Sequence, residues 1–168
     1  MFNFWTPQMP GWRKLGYTVL GSAATEMSIT LNASPRWLFV MCYVSGYSGA
    51  GIVGFRFNGD TATNYGQSVS DSSAASTNTG SQTAIRIATT AVTTQRWIEA
   101  HIINVATTQK LVTGTACTAT SGGTTNNMNH FAGVWNNTSN AITSITMQSS
   151  ANNLNSGSEF VVYGRDIL

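Results

Sequence analysis

At 168 residues the chain is about one domain, long enough to bury roughly two-thirds of its extended surface without help from metals or disulfides. Only 8% of the residues are charged, against an ordinary share of about a quarter, and the net charge of +2 comes from eight Lys/Arg, scattered along the chain, against six Asp/Glu. That balance leaves no electrostatic footprint for nucleic acid, no window approaches the ~20 apolar residues of a membrane span, and the five Trp, seven Phe and five Tyr exclude a disordered polar chain.

The first thirteen residues stand apart. Phe2, Phe4, Trp5, Met9 and Trp12 are interleaved with Pro7 and Pro10, so the segment is apolar yet barred from regular ladder pairing. It reads as an extended arm over 1–13, ahead of a single β domain over 14–168. Exposed rings are an aggregation hazard, whereas rings seated in a neighbour's groove are anchors. The arm therefore either reaches another subunit or folds back over its own domain. Its start has no basic region followed by an apolar run, which predicts a protein made and assembled in the cytoplasm.

From there on no helical stripe survives, because Thr, Ser, Asn and Gly interrupt every window and β-branched residues cluster in short runs. Met27, Ile29 and Leu31 alternate with polar neighbours as a half-buried strand. Residues 37–45 are apolar on both faces and predict a central strand. Residues 46–51 read as a loop, and 52–57 follow as a strand with Val53, Phe55 and Phe57 on one face. Asn58, Gly59 and Asp60 are turn chemistry. The polar run 71–82 reads as a surface loop. Ile85 and Ile87 mark a strand, and 96–105 marks a longer one, with Trp97, Glu99, His101, Ile103 and Val105 on one side and Ile98, Ala100 and Ile102 on the other. Further strands are predicted over 111–118, 130–135, 141–148 and 159–163, with a loop over 121–129. Eight or nine short strands between polar turns predict an all-β, two-sheet antiparallel sandwich. Periodicity does not choose among its topologies.

Candidate chemistry is sparse. Glu99 and His101 project to one strand face and suit a base with its orienting partner, yet no Ser, Cys or third group is tied to them by a motif, so the expectation is a hydrogen-bonded polar pair. Asn58, Asp60 and Asn64 supply oxygens at short spacing but lack the carboxylates and terminal Glu of a calcium loop. His101 and His130 have no ligand spacing to each other or to Cys42 and Cys117, so neither a metal nor a cofactor is expected, and the cysteines read as apolar thiols. Asn32, Asn136 and Asn137 fit a glycosylation pattern by composition alone. Trp135 beside Asn136 and Asn137, with Tyr47 and Tyr65 in loops, is the candidate platform for a glycan, although Trp135 at a strand end serves equally well as a core cap.

Two blocks carry a resemblance. Residues 131–168, FAGVWNNTSNAITSITMQSSANNLNSGSEFVVYGRDIL, and residues 55–65, FRFNGDTATNY, resemble the closing "ITSITL…NF..GS.F.LYG" phrase and the "RFNGDT..NY" block of jelly-roll structural proteins of tailed bacteriophages. The resemblance covers about a third of the chain and implies a jelly roll at the virion surface, without catalysis. It further implies a capsid decoration or cement protein that binds the major capsid protein and itself as a homotrimer. The alternative is a tail or fibre module that recognises a host-surface glycan.

Overall fold

The computed structural model describes residues 11–71, 74–119 and 127–166. Phe2, Phe4, Trp5 and Met9 of the expected arm lie outside the described residues. Among these residues there are twelve strands and no helix: Arg13–Val19 (β1), Glu26–Thr30 (β2), Trp37–Val44 (β3), Val53–Phe57 (β4), Tyr65–Asp71 (β5), Ala74–Gln82 (β6), Ile85–Arg86 (β7), Arg96–Ile103 (β8), Lys110–Thr118 (β9), Asn127–Trp135 (β10), Ser144–Ser149 (β11) and Glu159–Arg165 (β12).

The strands form two antiparallel sheets, an eight-stranded one in the order β1-β12-β3-β8-β9-β10-β5-β6 and a four-stranded one in the order β2-β11-β4-β7. With the hairpins β5–β6 and β9–β10 set aside, the remaining strands pair first with last: β1 with β12, β2 with β11, β3 with β8, and β4 with β7. A single long hairpin rolled across two sheets produces that nesting, and it is the topology of a jelly roll. The two extra hairpins widen one sheet beyond its partner.

Alternation along each strand decides what lies between the sheets. In β3, Leu38, Val40, Cys42 and Val44 are buried while Trp37, Phe39, Met41 and Tyr43 are half-exposed on the outer face. Ile98, Ala100 and Ile102 of β8 face inward beside them, and Phe55, Ile145, Met147 and Phe160 complete the contact from the other strands. Phe55 stands 6.3 Å from Phe131 and 6.4 Å from Phe160, ring to ring, and so ties both sheets together. Each such side chain contributes roughly 1.5–3 kcal/mol by leaving water. Opposite Phe131, position 114 admits only glycine, since a Cβ there would meet the Glu99 carbonyl of the neighbouring strand and the Phe131 ring.

Strands β1 and β5 are not among those expected from the sequence, β10 begins at Asn127 inside the loop expected over 121–129, and three further elements depart from the sequence reading. The polar run expected as a loop over 71–82 is mostly strand β6, paired with β5 at the rim of the large sheet. An edge hairpin needs few apolar anchors, and Tyr65 and Val69 supply them from β5. Its register is interrupted between Tyr65 and Gln67 and again between Val69 and Asp71, irregularities that discourage further strand addition at an edge. Residues 141–143 precede strand β11 rather than joining it, with the Ile142 amide donating to Asn104 Oδ1. Arg13 already pairs with Gly164, so the sandwich begins inside the segment expected as arm.

Candidate functional site

The turn at 58–60 fastens one end of the sandwich. Asn58 and Gly59 adopt φ of 51° and 67°, a left-handed pair suited to Asn-Gly. The Asn58 side chain accepts the amides of Thr143 and Ser144 and donates to the Ala141 carbonyl, which clips the turn to the approach of β11. Asp60 accepts from the Ala62 amide at 2.9 Å, from Asn64 Nδ2 at 3.0 Å and from the Trp135 indole at 2.8 Å. Burial alone raises this carboxyl's pKa, but the hydrogen bonds from Asn64, Trp135 and Ala62, with the Arg56 charge, outweigh it and leave the pKa lowered. With both oxygens committed, Asp60 is a corner anchor, as the plain-turn reading expects.

The glycan platform read from the sequence does not survive this geometry. Trp135 and Tyr65 are each 1% exposed and Tyr47 is 5% exposed, so none offers an open ring face to a sugar. Trp135 packs on Phe57 and Tyr65 and caps the core, while the Tyr65 hydroxyl accepts the Phe57 amide and donates to the Asp60 carbonyl. Burial pushes both tyrosine hydroxyls up to about 12, which keeps them protonated. Asn136 receives a hydrogen bond from Gln109, and Asn137 accepts the Ser139 and Asn140 amides in a local turn. The Asn137 carbonyl also receives the ammonium of Lys110, which is buried, donates to the Ala106 and Thr108 carbonyls as well, and lies over the Trp135 ring.

The closing block of the chain works in the same way. Ser158 is fully buried; its hydroxyl donates to the Asn155 carbonyl and accepts the Ser45 amide. Gly157 ahead of it has a φ of 83°. Residues from both resembling blocks thus fasten turns at the ends of the sandwich.

An open surface of different character lies on the outer face of the eight-stranded sheet. Register aligns Tyr163, Phe39, His101, Thr113, Ala132 and Ser68 in one row across it. The next row carries Val161, Met41, Glu99, Thr115, His130 and Ser70. Over β12 and β3 these rows are aromatic and aliphatic, and β8 contributes His101 and Glu99. Over β9, β10 and β5 they are small and polar, and there the face sinks into a concavity of about 430 Å³ lined by Glu99, His101, His130, Thr115, Ser68 and Ser70 among others.

Glu99 and His101 both reach this concavity, but not as the hydrogen-bonded pair expected from their spacing. Glu99 Oε1 accepts the Trp97 indole at 3.1 Å. The His101 ring stacks on Phe39 at 4.7 Å, and Trp12 abuts Phe39 edge-on at 6.1 Å. Each group thus has its own aromatic support. Trp12, the arm residue nearest the sandwich, packs against its own chain.

Among the described residues no three His, Cys, Asp or Glu side chains gather in a way that would hold a metal ion, and no helix is long and apolar enough to cross a membrane. Cys42 and Cys117 are free: Cys42 is buried and donates to the Met147 sulfur, whereas Cys117 sits half-buried on the outer face. Opposite faces of the sheet rule out a bond between them.

No protein-family model and no curated protein matches the chain. Among solved structures, a crystal structure of Scytalido-glutamic peptidase with a peptide-based transition-state analog is similar at a TM-score of 0.31 and 11% identity, over 89% of this chain and 65% of that one. A likeness that slight carries no argument about fold or chemistry.

Proposed function

We propose that this chain is a non-enzymatic structural protein of a tailed-phage virion, a capsid decoration protein assembled in the host cytoplasm and displayed on the particle surface. The observation that carries the reading is the composition of the two resembling blocks. Their distinctive polar residues, Asn58, Asp60, Asn64 and Ser158, all serve the jelly roll itself, so the likeness lies in residues that build this fold. The aromatic half of the outer face supports the role. Trp37, Phe39, Met41, Tyr43 and Trp97 are half-exposed, and Tyr17 is 46% and Val19 43% exposed beside them. Rings of this kind dominate interface energy where a subunit seats on a shell. On this reading the partners are the major capsid protein and further copies of the chain in a homotrimer.

Titration of the purified protein onto undecorated particles tests it. With so few charges to screen, affinity should stay nearly constant from low to near-molar salt, and deletion of residues 1–10 should leave a folded β domain that binds more weakly. A loss of several decades of affinity in salt would assign the attachment to the scattered Lys and Arg instead. Failure to bind particles, with binding to host-surface glycan, would make the protein a tail or fibre module.

A further inference from the structure

We propose that the concavity on the outer face of the eight-stranded sheet is a binding site for a neutral pyranoside, the terminal or penultimate sugar of a glycan. The site is independent of where the protein sits on the particle, and it shares no residue with the platform suggested by the sequence. Its volume of about 430 Å³ falls within the ordinary range of small-molecule sites, roughly 300–1,000 Å³.

The lining fits a polyhydroxylated ring. Glu99 offers a carboxylate whose Oε1 is fixed by the Trp97 indole and whose Oε2 has no partner among the described residues. Phe39 occupies the β3 side of the His101 ring, so the imidazole is held in plane with its β9 side toward the cavity. Two adjacent, aromatic-supported polar groups are what a vicinal diol requires: an acceptor to take a hydroxyl proton, and a ring that either hydrogen-bonds or stacks on the sugar's C–H face. Across the cavity Ser68, Ser70 and His130 supply donors and acceptors, with about 10 Å between the backbones of β8 and β10. Ala132 and Gly114 form the low part between them.

Charge narrows the ligand further. The lining contains no Lys or Arg, so an anionic sugar would meet the Glu99 carboxylate without a fixed counter-charge. Glycoside cleavage needs two carboxyl groups flanking the bond, and of the acids whose side chains are described only Glu99 lines the cavity. The lining therefore suits recognition of the sugar.

The test uses the full chain with the methyl glycosides of glucose, galactose, mannose and N-acetylglucosamine and their short oligomers, with N-acetylneuraminic acid as the charged control. Saturation-transfer NMR and calorimetry read binding. At least one neutral sugar should bind in the millimolar range and the charged control should not. Ala132→Trp, at an exposed outward strand position, fills the floor and should abolish binding with unchanged circular dichroism. Glu99→Gln, which leaves the cavity open, should weaken it about tenfold, equivalent to the loss of one charged hydrogen bond. Asn136→Ala, in the loop beside Trp135, should change nothing. Three results would overturn the proposal: no binding by the folded protein, binding that both cavity variants leave intact, or preference for the anionic sugar. Capture of a peptide panel by the cavity in place of every sugar would reassign it to protein contact.

Discussion

Asp60 anchors one end of the sandwich, and Asp60→Ala perturbs that anchor directly. Three donors lose their acceptor. The Ala62 amide and Asn64 Nδ2 are at exposed positions and recover water, whereas the Trp135 indole belongs to a side chain only 1% exposed. A hydrogen bond to a charged acceptor is worth about 1.5–3 kcal/mol, so the substitution should cost about 2–3 kcal/mol in all. For a domain of this length that is a fall in Tm of about 4–12 °C. Trp135→Phe removes the donor from the other side, and the double variant should fall short of additivity by at least about 1 kcal/mol. The pH dependence has a definite sign. Because the folded-state pKa of Asp60 lies below its ordinary value of 3.8, its contribution is fully present above that value and is lost as pH falls through the folded pKa. The stability gap between the wild type and Asp60→Asn should therefore hold constant from neutrality to about pH 5 and narrow below about pH 4. Calorimetric or denaturant unfolding across this range measures it. A Tm change under about 2 °C for Asp60→Ala, or strict additivity with Trp135→Phe, would refute the anchoring role.

Gly114→Val should destabilise by about 3 kcal/mol, read in denaturant, because a side chain there collides with a neighbouring strand's carbonyl and with Phe131 rather than with a movable surface group. Replacing Lys110 with Met strands the carbonyls of Ala106, Thr108 and Asn137 and should cost about 2–4 kcal/mol, whereas a surface lysine such as Lys14 should tolerate the same change. Ellman titration of the native protein should find one reactive thiol, Cys117. Burial raises the pKa of Cys42 well above its usual value, so that thiol should react only on unfolding, and two equally fast thiols would contradict its placement.

Much of the fold was legible because its core strands alternate strongly. Met27 and Ile29, the run from Trp37 to Val44, and the two-sided pattern of β8 each declare a face. The hairpin β5–β6 was not, since small polar residues outnumber apolar ones there and the pairing is set by β10 rather than by local pattern. Trp135 beside two asparagines imitates a sugar platform in sequence. Its true partner, Asp60, lies 75 residues away and is invisible to local reading. The concavity was half legible: Glu99 and His101 declare a shared face, but His130, Thr115, Ser68 and Ser70 join them only through the register of four strands. A signal did exist in the outward positions of β9 and β10, where Thr113, Thr115 and Ala132 are small while Trp97 and Phe39 nearby are large.

The number of copies of this protein per purified particle, measured by quantitative mass spectrometry against the major capsid protein, bears most directly on the proposed role. Decoration of the shell predicts hundreds of copies, in a fixed ratio to the capsid subunit. A handful of copies would place the protein at the tail, and its absence from particles would contradict a virion role altogether.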